Sequence, residues 1–213
     1  MNIRKPLFLL LLFVGACSTD SHSPSTEDVG QWQQTAEKLT TLLKEEKFRE
    51  TENMTKIKLA ELLVNVNDTE KNDTLIKYAR QILSISYYNY LKSKQFRSGI
   101  EYMDSLSQIP FIQENCKHEL LSARASMHQM YGDNEQAIEL ANEYLQLPDY
   151  EDTDRFIPQA EIISGVYIYS GNDIPQAIRI LEKAMKAYRQ GGKYRNMLRI
   201  MSRLGIYYRL IGA

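Results

Sequence analysis

The chain has 213 residues, 43% hydrophobic and 25% charged, with ten glycines, six prolines and two cysteines. Those proportions exclude wholesale disorder, a collagen-like rod and a disulfide-stapled miniature. Its 26 Lys and Arg against 27 Asp and Glu leave a formal charge of −1, without the basic excess of a nucleic-acid binder. Setting aside Arg4 and Lys5 in a removable leader leaves 24 cations and a charge of −3.

Met1 to Ala16 reads as a signal peptide over residues 1–16. Arg4 and Lys5 hold the amino end, Leu7 to Val14 is a continuous apolar run, and Gly15 and Ala16 suit a peptidase cleft. An apolar core of about ten residues or fewer is half what a spanning helix needs, so cleavage is expected rather than anchoring by a helix. Val14-Gly15-Ala16-Cys17 resembles the bacterial lipobox. The resemblance implies cleavage before Cys17 and acyl chains (palmitate or similar) on it, with the outer membrane favoured because Ser18, not Asp, follows. Two or more chains, at about 0.8 kcal/mol per buried methylene, anchor a protein stably. Residues 17–30 are then a lipidated Cys and a small, polar tether, with His22 as a lone solvated imidazole. Cys116, lacking a protein partner once Cys17 carries lipid, is expected as a buried free thiol.

From Gln31 onward apolar residues recur at helical spacing. The expected helices are 31–46, 48–66, 73–93, 95–108, 114–131, 134–147, 156–171, 174–190 and 193–211. The breaks carry turn chemistry at Asn67-Asp68, Ile109-Pro110, Gly132-Asp133, Leu147-Pro148, Gly171-Asn172 and Gly191-Gly192. Repetition is visible in these segments. Tyr131 to Ile138 matches Ser170 to Ile178 with one extra residue at the turn, and Lys94 to Ile100 has the same shape. Gly99, Ala137 and Ala177 lie 38 and 40 residues apart, and Ala125, Gly165 and Gly205 recur every 40. Small residues at such intervals let neighbouring helices approach closely.

These positions resemble the tetratricopeptide repeat. Ala125, Gly132, Asp133, Ala137, Tyr144 and Pro148 match one copy; Gly165, Ile174, Ala177, Leu181 and Ala184 match the next; Gly205, Tyr208 and Gly212 match the opening helix of another. The resemblance implies an all-α fold, a right-handed α-solenoid of antiparallel helix pairs over 31–213. The pairs would be a degenerate one at 31–66, repeats at 75–110, 114–148 and 156–190, and a partial repeat at 193–213. A lipobox before such pairs also resembles the periplasmic sensor region of Bacteroidetes histidine kinases and related regulators, and more distantly the helical-repeat lipoproteins of outer-membrane assembly.

Catalytic signatures are not apparent. The chain holds no Gly-rich phosphate loop, His-Glu-x-x-His or nucleophile elbow. His118 and His128, ten residues apart on one expected helix, diverge too far to share a metal and read as surface or groove residues. The acidic run Asp149 to Asp154 lacks the central Gly of a calcium loop and reads as solvated. At least two of Tyr87, Tyr88 and Tyr90 are expected in the core. No enzyme activity, cofactor, metal or small-molecule substrate is therefore expected.

A protein or peptide partner is the expected ligand. Carried over position by position, the family register puts Ser84, Tyr88 and Lys92 on the concave face, then Ser122, Ser126 and Gln129, then Ile162, Val166 and Tyr169, and last Arg199, Ser202 and Arg209. Tyr88, Tyr169 and Arg209 are the expected anchors, since Tyr and Arg dominate interface energetics. Ser84 and Tyr88 replace the Lys and Asn of the family's chaperone-tail clamp, so that ligand is not implied.

Overall fold

The computed structural model describes residues 26–64, 73–147 and 153–212. Cys17, His22, the Asn67-Asp68 break and Asp149 to Asp152 lie outside them. The described residues form ten helices and no strand: α1 (Thr26–Lys44), α2 (Phe48–Val64), α3 (Asp73–Ser93), α4 (Phe96–Leu106), α5 (Pro110–Asn115), α6 (Lys117–Tyr131), α7 (Asn134–Leu145), α8 (Thr153–Tyr169), α9 (Ile174–Gln190) and α10 (Tyr194–Leu210). None is long and apolar enough to cross a membrane.

Nine of the ten coincide with the helices expected from periodicity, and two departures have local causes. Helix α1 begins at Thr26, inside the segment read as a tether, so five of those residues are helical. Helix α5 was not expected. Pro110 stands at its first position, where the missing N–H costs nothing and the fixed φ is already helical. It ends at Cys116, whose N–H returns to the Ile112 carbonyl at 2.8 Å.

The chain divides into two compact units. The first comprises residues up to Gln95 together with Asp104–Cys116, and the second comprises Phe96–Met103 and everything from Lys117. In the first, α1, α2 and α3 each pack on the other two. Leu39, Leu59, Leu62, Ala79, Ile82 and Leu83 fill the space between them, Trp32 lies against Tyr78 with ring centroids 6.3 Å apart, and the Arg80 guanidinium donates to the Asn115 carbonyl at the end of α5. In the second, α6 packs on α7 and α8, α8 on α9, and α9 on α10. One apolar cluster runs through that unit, with Ala125, Ala137, Ala141, Ala160, Ala177 and Ala184 all fully buried. Side chains no larger than a methyl at these contacts are what bring the helix axes together.

The turns explain the repeat seen in the sequence. Left-handed backbone occurs at Glu46, Lys94, Gly132, Asn172, Gly192 and Gly212; of these Lys94 (φ 58°), Gly132 (φ 96°), Asn172 (φ 48°) and Gly212 (φ 75°) follow at intervals of 38, 40 and 40 residues. At Lys94, Gly132 and Asn172, the following N–H reaches back across the helix end: Gln95 to Tyr90, Asp133 to His128 and Asp173 to Tyr167, at 2.9–3.1 Å. The first two span five residues and are the Schellman closure, and the third is one residue wider; all three satisfy carbonyls that the helix leaves open. Asp133 and Asp173 then cap the next helix by accepting from the Gln136 and Gln176 amides. The Asp173 bond spans six residues where the Asp133 bond spans five, so the turn at Asn172 holds the one extra residue seen in the sequence match. Gly171 is not the left-handed residue; an added Cβ there would lie 3.3 Å from the Tyr167 carbonyl and 2.7 Å from the Ile138 Cδ1, the movable end of that side chain.

Candidate partner-binding surface

In the first unit the expected binding residues lie on α3. Ser84, Tyr88 and Lys92 are four apart and all exposed, Tyr88 by 43%. Tyr88 is braced by Tyr87, with ring centroids at 4.9 Å, while Tyr87 and Tyr90 are buried as expected. Tyr90 also donates to Glu52 on α2 at 3.0 Å, and Lys56 lies 2.5 Å from the same oxygen. Burial by itself would raise the Glu52 carboxyl, but the bonds from Lys56 and Tyr90 and the nearby Arg49 charge outweigh it and hold the group below its ordinary value. A depressed carboxyl adds stability above the carboxylate range and forfeits it as pH falls through the folded value. Tyr90→Phe should therefore cost about 1–2 kcal/mol at neutral pH and much less once Glu52 is protonated. Urea unfolding at the two pH values checks this; an equal loss at both would mean the hydroxyl does not act through the carboxylate.

The same unit has a shallow cleft of about 530 Å³ whose lining includes Glu37, Thr40, Lys44, Lys77, Tyr78 and Gln81 from α1 and α3. It has the polarity of a solvated seam between helices and no nucleophile paired with a base.

In the second unit Tyr169, at the end of α8, is 69% exposed, and its ring lies 4.0 Å from where a Gly165 Cβ would be. Arg209 is exposed in the last turn of α10, and Gln129 is half-buried beside Met130. Arg199 has a different occupation from the one expected. Its Nε lies 2.7 Å from Glu161, and Arg203 approaches the same carboxylate at 3.4 Å. The Glu161 side chain is only 13% exposed, so it forms the joint between α8 and α10. Burial pushes the neighbouring Tyr188 and Tyr207 hydroxyls up, against the lowering effect of Arg199 on one and Arg203 on the other. On the far side of α8, Tyr167 donates to Asn142 on α7 at 2.5 Å, and burial together with the Asp173 charge pushes its hydroxyl up to about 12.

Four expectations need correcting here. Ser122, Ser126 and Val166, assigned to the concave face by the family register, are buried, at 1%, 7% and 0% exposure. Ser122 lies between α6 and α8, with its hydroxyl 3.3 Å from Gln159, and Val166 belongs to the apolar cluster. His118 is not a surface residue: it is 4% exposed, edge-on to Tyr144 with centroids 5.6 Å apart. His128 turns its Nδ1 toward Asp133 at 3.0 Å, bracing the turn that Asp133 caps. Cys116 is buried and in no disulfide among the described residues. Among the described residues no three of His, Cys, Asp and Glu gather as a metal site would require.

Sequence reasoning missed the Glu161 joint and a stripe of exposed apolar residues on α10. The stripe was legible as Tyr194, Leu198 and Met201 at spacings of four and three; the joint was not, because Glu161 reads as any helix-surface acid. Comparison with known proteins places no relative beside this arrangement, since no family model, curated protein or solved structure matches the chain.

Proposed function

We propose that this chain is a non-enzymatic, lipid-anchored scaffold of the bacterial cell envelope that binds a peptide or protein partner. Its helices form a right-handed solenoid of antiparallel pairs of the tetratricopeptide type, and Cys17 carries the lipid. The observation that carries this reading is the left-handed turn at 94, 132, 172 and 212, recurring every 38–40 residues. The turns at 132 and 172, of two and four residues, join helices that then lie against each other, α6 on α7 and α8 on α9; repeated reversal of this kind at one period builds a stack. Within the second unit α6, α8 and α10 are the opening helices of successive pairs, and their last turns carry Gln129, Tyr169 and Arg209, forty residues apart. An exposed aromatic flanked by a polar and a cationic side chain suits an extended peptide with some acidic character. Tyr88 and Lys92 offer a similar pairing on α3.

The test uses the full chain in bacterial cells with a photo-crosslinking side chain in place of Tyr169 or, as a control, of Lys186 on the exposed face of α9. A discrete partner adduct from position 169 and none from 186 is expected. Equal labelling, or none at 169, overturns the binding surface. Cys17→Ala should release the chain from the membrane pellet into the soluble fraction; retention in the pellet would refute the lipid anchor while leaving the surface standing.

A further inference from the structure

Helix α10 differs from the other long helices of its unit in what it leaves uncovered. Its buried residues are Ile200, Leu204 and Tyr207. On a separate face, roughly 120° round the axis, Tyr194, Leu198, Met201 and Gly205 follow at spacings of four, three and four, which keeps them in one row. Tyr194 and Leu198 are each 62% exposed and Met201 is 47% exposed. In line with them, Gly205 would meet nothing within 4 Å on gaining a Cβ. The row is therefore apolar with a notch at Gly205, shaped for the ridge of another helix.

Two observations identify what fits there. The first is the counterpart of this face inside the same chain. Eighty residues earlier, Leu198, Met201 and Gly205 correspond to His118, Leu121 and Ala125 on α6, all buried. An amphipathic helix covers them: α7 lies along α6, with Tyr144 against His118. The second is charge. Residues 193–212 contain no acid and five cations. Glu161 answers Arg199 and Arg203, whereas Lys193, Arg195 and Arg209 are exposed and have no ion-pair partner among the described residues.

We infer that this row is a docking site for an amphipathic helix of a partner protein, apolar on its inner face and acidic along its flanks. The apolar row supplies the contact area, the notch lets the two backbones close, and the unanswered cations select an acidic partner over a basic one. The site needs neither the lipid on Cys17 nor the tyrosine at 169; it shares only Arg209 with the surface proposed above, and its test reads substitutions at 198, 201 and 205 that the other surface does not use.

The full chain, titrated with a fluorescent synthetic helix of about five turns bearing Leu on one face and Glu on its flanks, should bind saturably. Leu198→Asp and Met201→Asp, both at exposed positions, should weaken binding at least about tenfold without changing helical circular dichroism or the thermal midpoint. Gly205→Leu should weaken it similarly although it adds apolar surface, because it fills the notch. Exchanging Glu for Lys in the peptide should cost about tenfold at low salt and much less at high salt. Equal binding of the two peptides, or binding indifferent to all three substitutions, overturns the proposal. So would capture of the chain by phosphatidylglycerol-rich vesicles, or self-association by sedimentation, if Leu198→Asp abolishes it, since the row would then belong to a membrane or to a second copy.

Discussion

Replacing Tyr144 by Ala is expected to lower stability by about 3–5 kcal/mol, the cost of deleting a fully buried aromatic ring and leaving the cavity. Tyr144 is 0% exposed at the inner face of α7, in line with Ala137, Leu140 and Ala141. Its ring is the only large aromatic among these four, so the surrounding alanines offer nothing that could extend into the void. His118 would suffer next. It is 4% exposed and held edge-on by that ring, and losing the ring leaves a buried imidazole facing a hole. Tyr144→Phe keeps the ring and should lose no more than about 1.5 kcal/mol. Urea unfolding followed by helical circular dichroism measures both. A loss below 1 kcal/mol for the alanine variant would mean that the α6–α7 contact is not built around this ring.

The tyrosine also shows how far the sequence could be read. Its place as a large residue after Ala137 follows from the repeat pattern, and it is buried where that pattern expects. Helix positions were legible because apolar spacing is a local property of the chain. The breaks were legible because Gly132, Asp133, Asn172 and Asp173 act on their own backbone. What could not be read was how many sides of a helix its neighbours cover. Helix α6 is packed by both α7 and α8, so its polar Ser122, Ser126 and His118 are buried with the rest. The family register put Ser122 and Ser126 on an open face, but packing from two sides closes that face along with Leu121 and Ala125. The same positions on α10 stay open. Ile206, the counterpart of buried Val166 forty residues earlier, is 46% exposed. Identical patterns thus give a core residue on one helix and a surface residue on another. Only tertiary packing distinguishes them, and for that reason the exposure of the α10 row, unlike its spacing, emerged from the structure.

Glu161→Lys is expected to loosen α10 from the rest of its unit at a cost of about 3 kcal/mol. Helix α10 is held by three buried side chains, Ile200, Leu204 and Tyr207, and by the carboxylate that Arg199 and Arg203 share. At 13% exposure that carboxylate is largely withdrawn from water, so its charge is weakly screened. A lysine in its place would gather three cations around one joint. The two arginines, 60% and 43% exposed, can swing into solvent, and this keeps the penalty below that of a fully buried clash. Glu161→Gln, which removes the charge but keeps an acceptor, should cost only about 1 kcal/mol. Trypsin provides the local readout, because Lys193, Arg195, Arg199, Arg203 and Arg209 all lie in or beside α10. Cleavage there should become the fastest event in Glu161→Lys while other sites keep their rates. Adding Arg199→Glu should restore more than half the lost protection by rebuilding the pair with its signs exchanged. If cleavage in α10 were as slow as before, the apolar contacts would suffice to hold the helix and Glu161 would be a bystander.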